Sequence, residues 1–112
     1  MNDYFTLEQA ESYAFFRIPK RLIRDNSYSG LPIDAALLYA VLLDRMELSR
    51  KNHWVDESGH VYLYFPVKEL CEELGFCKEK VCKLLSALER HDLLERRRQG
   101  LGKPDLLFLK QF

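Results

Sequence analysis

The fold is predicted from residues 66–112, which read PVKELCEELGFCKEKVCKLLSALERHDLLERRRQGLGKPDLLFLKQF. Apolar residues recur at helical spacing in two segments that Gly75 separates, and two strand-like segments follow with glycines between them. The four segments are predicted as helices over 67–74 and 78–91 and as strands over 93–97 and 106–110. This order of helix, turn, helix, strand, loop and strand is typical of a winged helix-turn-helix.

The residues before this unit supply a scaffold and a further strand. Apolar residues over 33–48 recur at helical spacing on more than one side, which predicts a central helix covered by its neighbours. Residues 54–65 read as a hairpin whose second strand would join the small sheet. The predicted fold class is α+β and mostly helical, with a three-stranded antiparallel sheet, and residues 21–112 form the winged-helix domain.

Residues 1–20 are predicted to form an extended N-terminal arm. Within the arm YAFFRIP (13–19) is dense in aromatic residues, and Pro19 prevents a helix from continuing through it. Its large apolar side chains favour a homodimer contact, because winged-helix DNA readers commonly pair; the alternative is that they cover the domain's own core. The residues of this predicted dimer element are Tyr13, Phe15, Phe16 and Ile18.

Composition and motifs limit the classes of function. The chain has 112 residues, is 47% hydrophobic and has no net charge, which suits one compact domain. It lacks a signal peptide and any apolar segment of about 20 residues, so a cytoplasmic location is expected. Its three cysteines form no CxxC, so no metal or other cofactor is expected. It contains no phosphate loop, HExxH or nucleophile elbow, so no enzyme is predicted.

The zero net charge hides a local cluster of cations. Residues 96–104, RRRQGLGKP, carry four cations and no acid, and clustering of this kind sets the field that a partner meets at close range. On the second helix, the direction opposite the apolar stripe holds polar and cationic residues in the first turns, which normally enter the major groove. The residues predicted to contact DNA are Lys78, Glu79, Lys80, Lys83 and Ser86 on the helix and Arg96, Arg97, Arg98 and Lys103 in the wing.

Two other interpretations of this unit stay open. A solvated charged helix face followed by a basic surface turn, without any partner, would produce the same pattern. The short helix also carries Glu69, Glu72 and Glu73, which argue against a broad basic footprint. That acidic face favours the alternative of a winged helix that binds protein.

Three blocks go beyond a generic winged helix: FFRIPKRLI, ALLYAVLLDRMELSRKNHWVDESGHVYLYF and KVCKLLSALERHDLLERRRQGLGKPDLLFLKQF. Together they resemble the N-terminal domain of the RepA_N family of plasmid replication initiators, over residues 13–112. The resemblance implies a domain that binds repeated double-stranded origin sequences, generally as a dimer, in Firmicutes-type plasmids and integrated elements. It also implies a separate C-terminal domain that contacts host replication proteins.

The resemblance assigns roles to particular positions. It makes Lys78, Lys80 and Lys83 recognition-helix residues, and it adds Gln99 to the cations of the wing. The sequence departs from the family pattern at Cys77, with Glu79 and Cys82 close by, so the bases that are read stay open. Because Phe112 lies where the family's first domain ends, a fragment of an initiator or a short relative is expected. A transcription regulator of a mobile element is the alternative function.

Overall fold

The computed structural model describes residues 3–9 and 13–112, and within these ranges it forms four α-helices and one antiparallel pair of strands. In chain order the elements are α1 (Lys20–Arg24), a 3-10 turn (Asn26–Tyr28), α2 (Ile33–Lys51), α3 (Val67–Leu74), α4 (Lys78–Arg90), β1 (Leu94–Arg97) and β2 (Leu106–Leu109). The fold is α+β and mostly helical, which confirms this part of the sequence prediction.

The long helix α2 lies at the centre of the domain. The first half of α2 is buried almost all round, from Ala35 to Leu42, because α1 and α4 both pack against it. Inside this core the Tyr39 hydroxyl donates a hydrogen bond of 2.8 Å to the Lys110 carbonyl. Burial raises the pKa of Tyr39 to about 12, so its hydroxyl keeps the proton that ties α2 to the chain beyond β2.

Helices α3 and α4 pack against each other, and local chemistry sets their ends. Pro66 precedes α3, and Gly75 ends it with a φ of 71°, a left-handed conformation that glycine adopts without steric cost. Helix α4 then buries an apolar stripe against α2 and α3. Because these residues recur at helical spacing, the buried face of α4 could be predicted from the sequence. The buried residues of this stripe are Val81, Leu84, Leu85, Ala87 and Leu88.

The sheet is smaller than predicted. Strand β1 pairs with β2 in antiparallel register from Leu94↔Leu109 to Arg97↔Leu106, but the predicted third strand is not formed. Only Leu63 of that segment reaches the ladder, through hydrogen bonds with Leu107 of 2.7 and 3.1 Å. The segment has little length left for a third strand, because Val61 pairs with Val55 in the preceding hairpin and Pro66 leads into α3.

Helix α1 and the following 3-10 turn were not predicted. A helix of five residues is too short to establish an apolar period, and Leu22 is its one buried residue. The Asp25 side chain accepts a hydrogen bond of 2.8 Å from the Ser27 amide and so caps the 3-10 turn. Among the described residues, no helix combines the length and the apolar character needed to cross a membrane.

Candidate nucleic-acid interface

The outward face of α4 carries the predicted reading residues. Lys78, Glu79 and Lys83 are exposed, whereas Ser86 is half-buried one turn further along. Their orientation follows from the buried stripe on the opposite side, which fixes the rotation of the helix against the core. The first two turns of α4 therefore present two ammonium groups and one carboxylate to solvent.

Lys80 differs from its two neighbouring lysines because its charge is used within the protein. Its ammonium group lies 2.8 Å from a carboxylate oxygen of Asp34, in the first turn of α2. The same group lies 4.0 Å from the centroid of the Phe76 ring, within range of a cation–π contact. Of the predicted helix lysines, Lys80 is thus the one that ties α4 to α2.

The wing loop joins β1 to β2 over residues 98–105. Gly100 and Gly102 have φ angles of 129° and 76°, which side-chain-bearing residues rarely adopt, so both turns of the loop require glycine. The Gln99 side-chain amide donates a hydrogen bond of 2.7 Å to the Pro104 carbonyl and closes the loop from inside. Arg98 and Lys103 are exposed on either side of it.

The two arginines of β1 are both paired with acids. Arg96 donates to a carboxylate oxygen of Glu89 at the end of α4, with its Nε at 2.9 Å. Arg97 contacts Asp56 at 2.9 Å and Glu95 at 2.5 Å. The cationic run seen in the sequence therefore splits into two arginines held by the protein and a loop whose cations face solvent.

The structure separates the predicted cations into two groups. Within residues 3–9 and 13–112, four of them have neither an ion pair nor a side-chain hydrogen bond: Lys78, Lys83, Arg98 and Lys103. The sequence analysis identified neither Asp34 nor Asp56 as a partner of these cations. No local signal could have identified them, since Asp56 and Arg97 are 41 positions apart.

The predicted dimer element stays at the surface. Residues 13–19 form neither helix nor strand, and Tyr13, Phe15, Phe16 and Ile18 are 54%, 68%, 44% and 37% exposed. Phe15 lines one side of an open groove whose other walls belong mainly to α2, including Leu43 and Met46. Residues 13–19 therefore leave much of their apolar surface uncovered within one copy of the chain.

The acidic residues of α3 and the cysteines have separate surroundings. Glu69, Glu72 and Glu73 are exposed on the surface of α3. All three cysteines are free thiols, with Cys77 exposed and the other two half-buried. Across the described part of the chain, no three His, Cys, Asp or Glu side chains are grouped closely enough to hold a metal ion.

Solved structures with this arrangement are similar over almost the whole chain. One, described as the N-terminal domain of a DNA-binding protein, is 40% identical, has a TM-score of 0.81 and covers 99% of this chain and 85% of its own. A second, described as a Rep–DNA complex, is 39% identical with a TM-score of 0.81 over 97% and 84% of the two chains. A third, described as an MDR initiator, is 34% identical with a TM-score of 0.77 over 97% and 86%.

Sequence comparison gives the same grouping. A 41 kDa protein of Lactobacillus helveticus is 32% identical over 96% of this chain, and the chain spans about a third (32%) of that relative's length. Residues 14–112 match the family described as the replication initiator protein A (RepA) N-terminus. Because this match takes in nearly every element from the arm to β2, the chain belongs to the RepA N-terminus (RepA_N) family.

Proposed function

We propose that this chain is the DNA-binding domain of a plasmid-type replication initiator and acts as a winged helix on double-stranded DNA. The observation that carries the proposal is the set of unpaired cations on α4 and in the loop that follows β1. An exposed cation without an internal partner can replace condensed counterions on DNA, and their release favours binding. A paired cation must first give up its carboxylate.

Helix α4 is proposed to enter the major groove with its first turns. Lys83 and Ser86 would lie towards base edges, where lysine donates to guanine O6 or N7 and a hydroxyl can donate or accept. Lys78 at the helix start would contact a phosphate. Glu79 can accept a hydrogen bond from a cytosine amino group. In this arrangement α4 supplies the choice of sequence.

The wing loop is proposed to bind the sugar-phosphate backbone. Arg98 and Lys103 flank two glycines that have no side chain to hold the backbone away from DNA. Contacts of this kind position a protein on the duplex and carry no direct sequence information. We therefore assign affinity to the wing and sequence choice to α4.

The replication role is supported by the family and by the initiator and Rep–DNA structures that the chain is similar to. In this role the domain binds repeats at an origin and helps to assemble the initiation complex, without chemistry on the nucleic acid. Contacts with host replication proteins would come from a further domain, since the chain spans about a third of the relative it matches. Such a protein acts in the cytoplasm, where plasmid DNA is copied.

The arm is proposed to form a homodimer contact beside the DNA-binding domain, with residues 1–20 as arm and 21–112 as domain. The four exposed apolar side chains of 13–18 supply apolar surface for this contact, and the groove along α2 adds Leu43 and Met46 beside them. A symmetric pair would present two α4 helices to two half-sites. This contact would also cover surface that a single chain leaves in water.

The DNA proposal can be tested with fluorescence anisotropy on a labelled duplex that contains direct repeats from the replicon encoding this chain, and on a scrambled duplex of equal composition. We expect tighter binding to the repeat duplex and a log–log salt slope of roughly −0.9 per phosphate contact. Lys83→Ala should weaken binding, whereas Lys51→Ala, which removes an exposed lysine at the end of α2, outside α4, the wing and the arm, should not. A protein that binds neither duplex at low salt would exclude this function and favour the protein-binding alternative.

The dimer proposal has its own test, sedimentation velocity of the free protein. Phe15→Ser with Phe16→Ser should shift the protein towards monomer. Leu101→Ser is the matched control, because Leu101 is fully exposed at the wing and lies outside the proposed contact. A wild-type protein that stays monomeric at all concentrations, with and without DNA, would rule the arm out as a dimer element.

A further inference from the structure

Arg97 occupies the last position of β1, where the wing loop begins, and its guanidinium group contacts three side chains. Nη1 donates to Asp56 at 2.9 Å and Nε donates to Glu95 at 2.5 Å. The guanidinium carbon also lies 4.0 Å from the centroid of the buried Phe108 ring on β2. The arginine is therefore oriented by two charges and one aromatic face, all from the protein itself.

Asp56 uses both carboxylate oxygens to make this contact possible. Oδ1 accepts hydrogen bonds of 2.9 Å from the Ser58 and His60 amides, which fold the tight turn of the 54–61 hairpin. Oδ2 receives Arg97 at 2.9 Å, with the His60 ring Nδ1 at 3.7 Å from the same oxygen, and the Asp56 side chain is only 18% exposed. Asp56 thereby links the turn of one hairpin to the base of the other.

Aromatic side chains follow the same connection between the two hairpins. The Tyr62 ring lies 5.9 Å from Phe108 and 5.5 Å from Tyr64, and Tyr64 lies 5.0 Å from Trp54 in an edge-to-face contact. Arg97 stacks on the Phe108 end of this row. The ion pair and the aromatic row thus join the 54–64 segment to the wing strands.

The wing depends on contacts with the 54–64 segment because its own sheet has only two short strands. Strands β1 and β2 share four paired positions, and the single bridge at Leu63 is the other backbone tie to the preceding segment. An isolated two-stranded hairpin is marginally stable in water. The direction of the loop is set at the last pair, Arg97↔Leu106, so a contact that fixes Arg97 also fixes the loop.

We propose that Asp56 and Arg97 are positioning residues for DNA binding: their ion pair holds the wing in the orientation from which Arg98 and Lys103 reach the duplex. The inference rests on the proposed function. It gives Arg97 a role through protein contacts, and it predicts that an acidic residue, Asp56, increases the affinity for a polyanion. That second consequence separates it from a purely electrostatic account.

The decisive variant is Asp56→Asn. Asparagine keeps the side-chain oxygen that accepts from Ser58 and His60, but it cannot pair with Arg97. If charge alone mattered, removing a carboxylate would strengthen binding to DNA. We expect the repeat duplex to bind about three- to tenfold more weakly, with a salt slope no steeper than that of the wild type, because the wing cations lose their alignment with the phosphates.

Glu57→Gln is the matched control, since Glu57 is exposed in the same turn and has no ion pair with any described residue. It makes the same change in net charge and should leave affinity within about twofold of the wild type. Tighter or unchanged binding by Asp56→Asn would overturn the inference. Thermal unfolding of both variants checks that each is folded at the assay temperature.

A double-mutant cycle with Arg97→Gln tests the pair directly. If the two residues act through their contact, the double variant should bind about as weakly as Arg97→Gln alone. If Arg97 instead held a phosphate, Arg97→Gln should flatten the salt slope by roughly 0.9 and its effect should add to that of Asp56→Asn. Additive effects would therefore overturn the positioning role.

Measurements on the free protein separate this inference from the proposed function. Asp56→Asn should shift the backbone amide resonances of 98–105 and speed hydrogen exchange at the Leu63 and Leu107 amides, which form the bridge between the segments. Glu57→Gln should leave both unchanged. Unchanged amides in Asp56→Asn, in a protein that binds DNA, would overturn the positioning role alone, whereas a wild type that binds no duplex would remove the proposed function and with it the role of the pair in DNA binding.

Discussion

The Lys80 ammonium group lies 2.8 Å from the Asp34 carboxylate, so the first turn of α4 is tied to the first turn of α2. The two side chains are 43% and 45% exposed, which makes this a surface pair of small energetic value. Its main effect is on the electrostatic field around α4, because the carboxylate neutralises one of the cations in the first turn of that helix. Helix α4 does not depend on the pair for its position, since its buried leucines already fix it.

We expect Asp34→Asn to strengthen DNA binding, in contrast to Asp56→Asn. The substitution releases Lys80 beside Lys83, so binding to repeat and scrambled duplexes should tighten and the salt slope should steepen by up to about 0.9. Glu72→Gln, which removes an exposed acid of α3 without an ion pair to a described residue, should have a smaller effect. Anisotropy titrations over a salt series measure this, and weaker binding by Asp34→Asn would contradict it.

Lys83→Ala and Arg98→Ala should differ in how they affect specificity. Loss of a base-edge contact should reduce the ratio of repeat to scrambled affinity, with a cost of about 1–3 kcal/mol on the repeat duplex. Loss of a backbone contact should weaken both duplexes equally and leave that ratio unchanged. Parallel titrations with both duplexes give this ratio for each variant. Equal ratios would contradict the assignment of sequence choice to α4 and of backbone contacts to the wing.

Leu42→Ala should destabilise the domain strongly. Leu42 of α2 is fully buried, and removing its side chain leaves a cavity that costs about 2–5 kcal/mol of unfolding free energy. Leu48 of the same helix is 43% exposed, so Leu48→Ala should cost less than about 1 kcal/mol. Urea unfolding followed by circular dichroism measures both, and similar costs would contradict the burial of the first half of α2.

The Asp56 contact should also make stability depend on pH in the acid range. Hydrogen bonds from the His60 amide, followed by Arg97, hold the pKa of Asp56 below its ordinary value of 3.8. A carboxyl group with a lowered folded-state pKa stabilises the fold above about pH 4, and this stability is lost as pH falls through the folded pKa. The difference in urea midpoint between wild type and Asp56→Asn should therefore shrink between pH 5.5 and 2.5, whereas a constant difference would argue against the contact.

Much of the fold could be predicted because it depends on neighbours in the sequence. The bounds of α3 follow from Pro66 and Gly75, and the buried face of α4 follows from its apolar spacing. The segments of β1 and β2 were also located to within one residue at their outer ends. Helix α1 was missed because five residues contain too little periodicity, and the third strand was overestimated because only Leu63 reaches β2.

The sequence by itself determined where the helices, the turn and the basic loop lie, since backbone preference and apolar spacing act over a few residues. Only the tertiary structure decided which cations remain available to a partner. Lys80 and Arg97 belong to the same cationic pattern as Lys83 and Arg98, yet folding brings Asp34 to one and Asp56 to the other. Electrostatic interaction depends on distance in space, and distance along the chain does not reveal it.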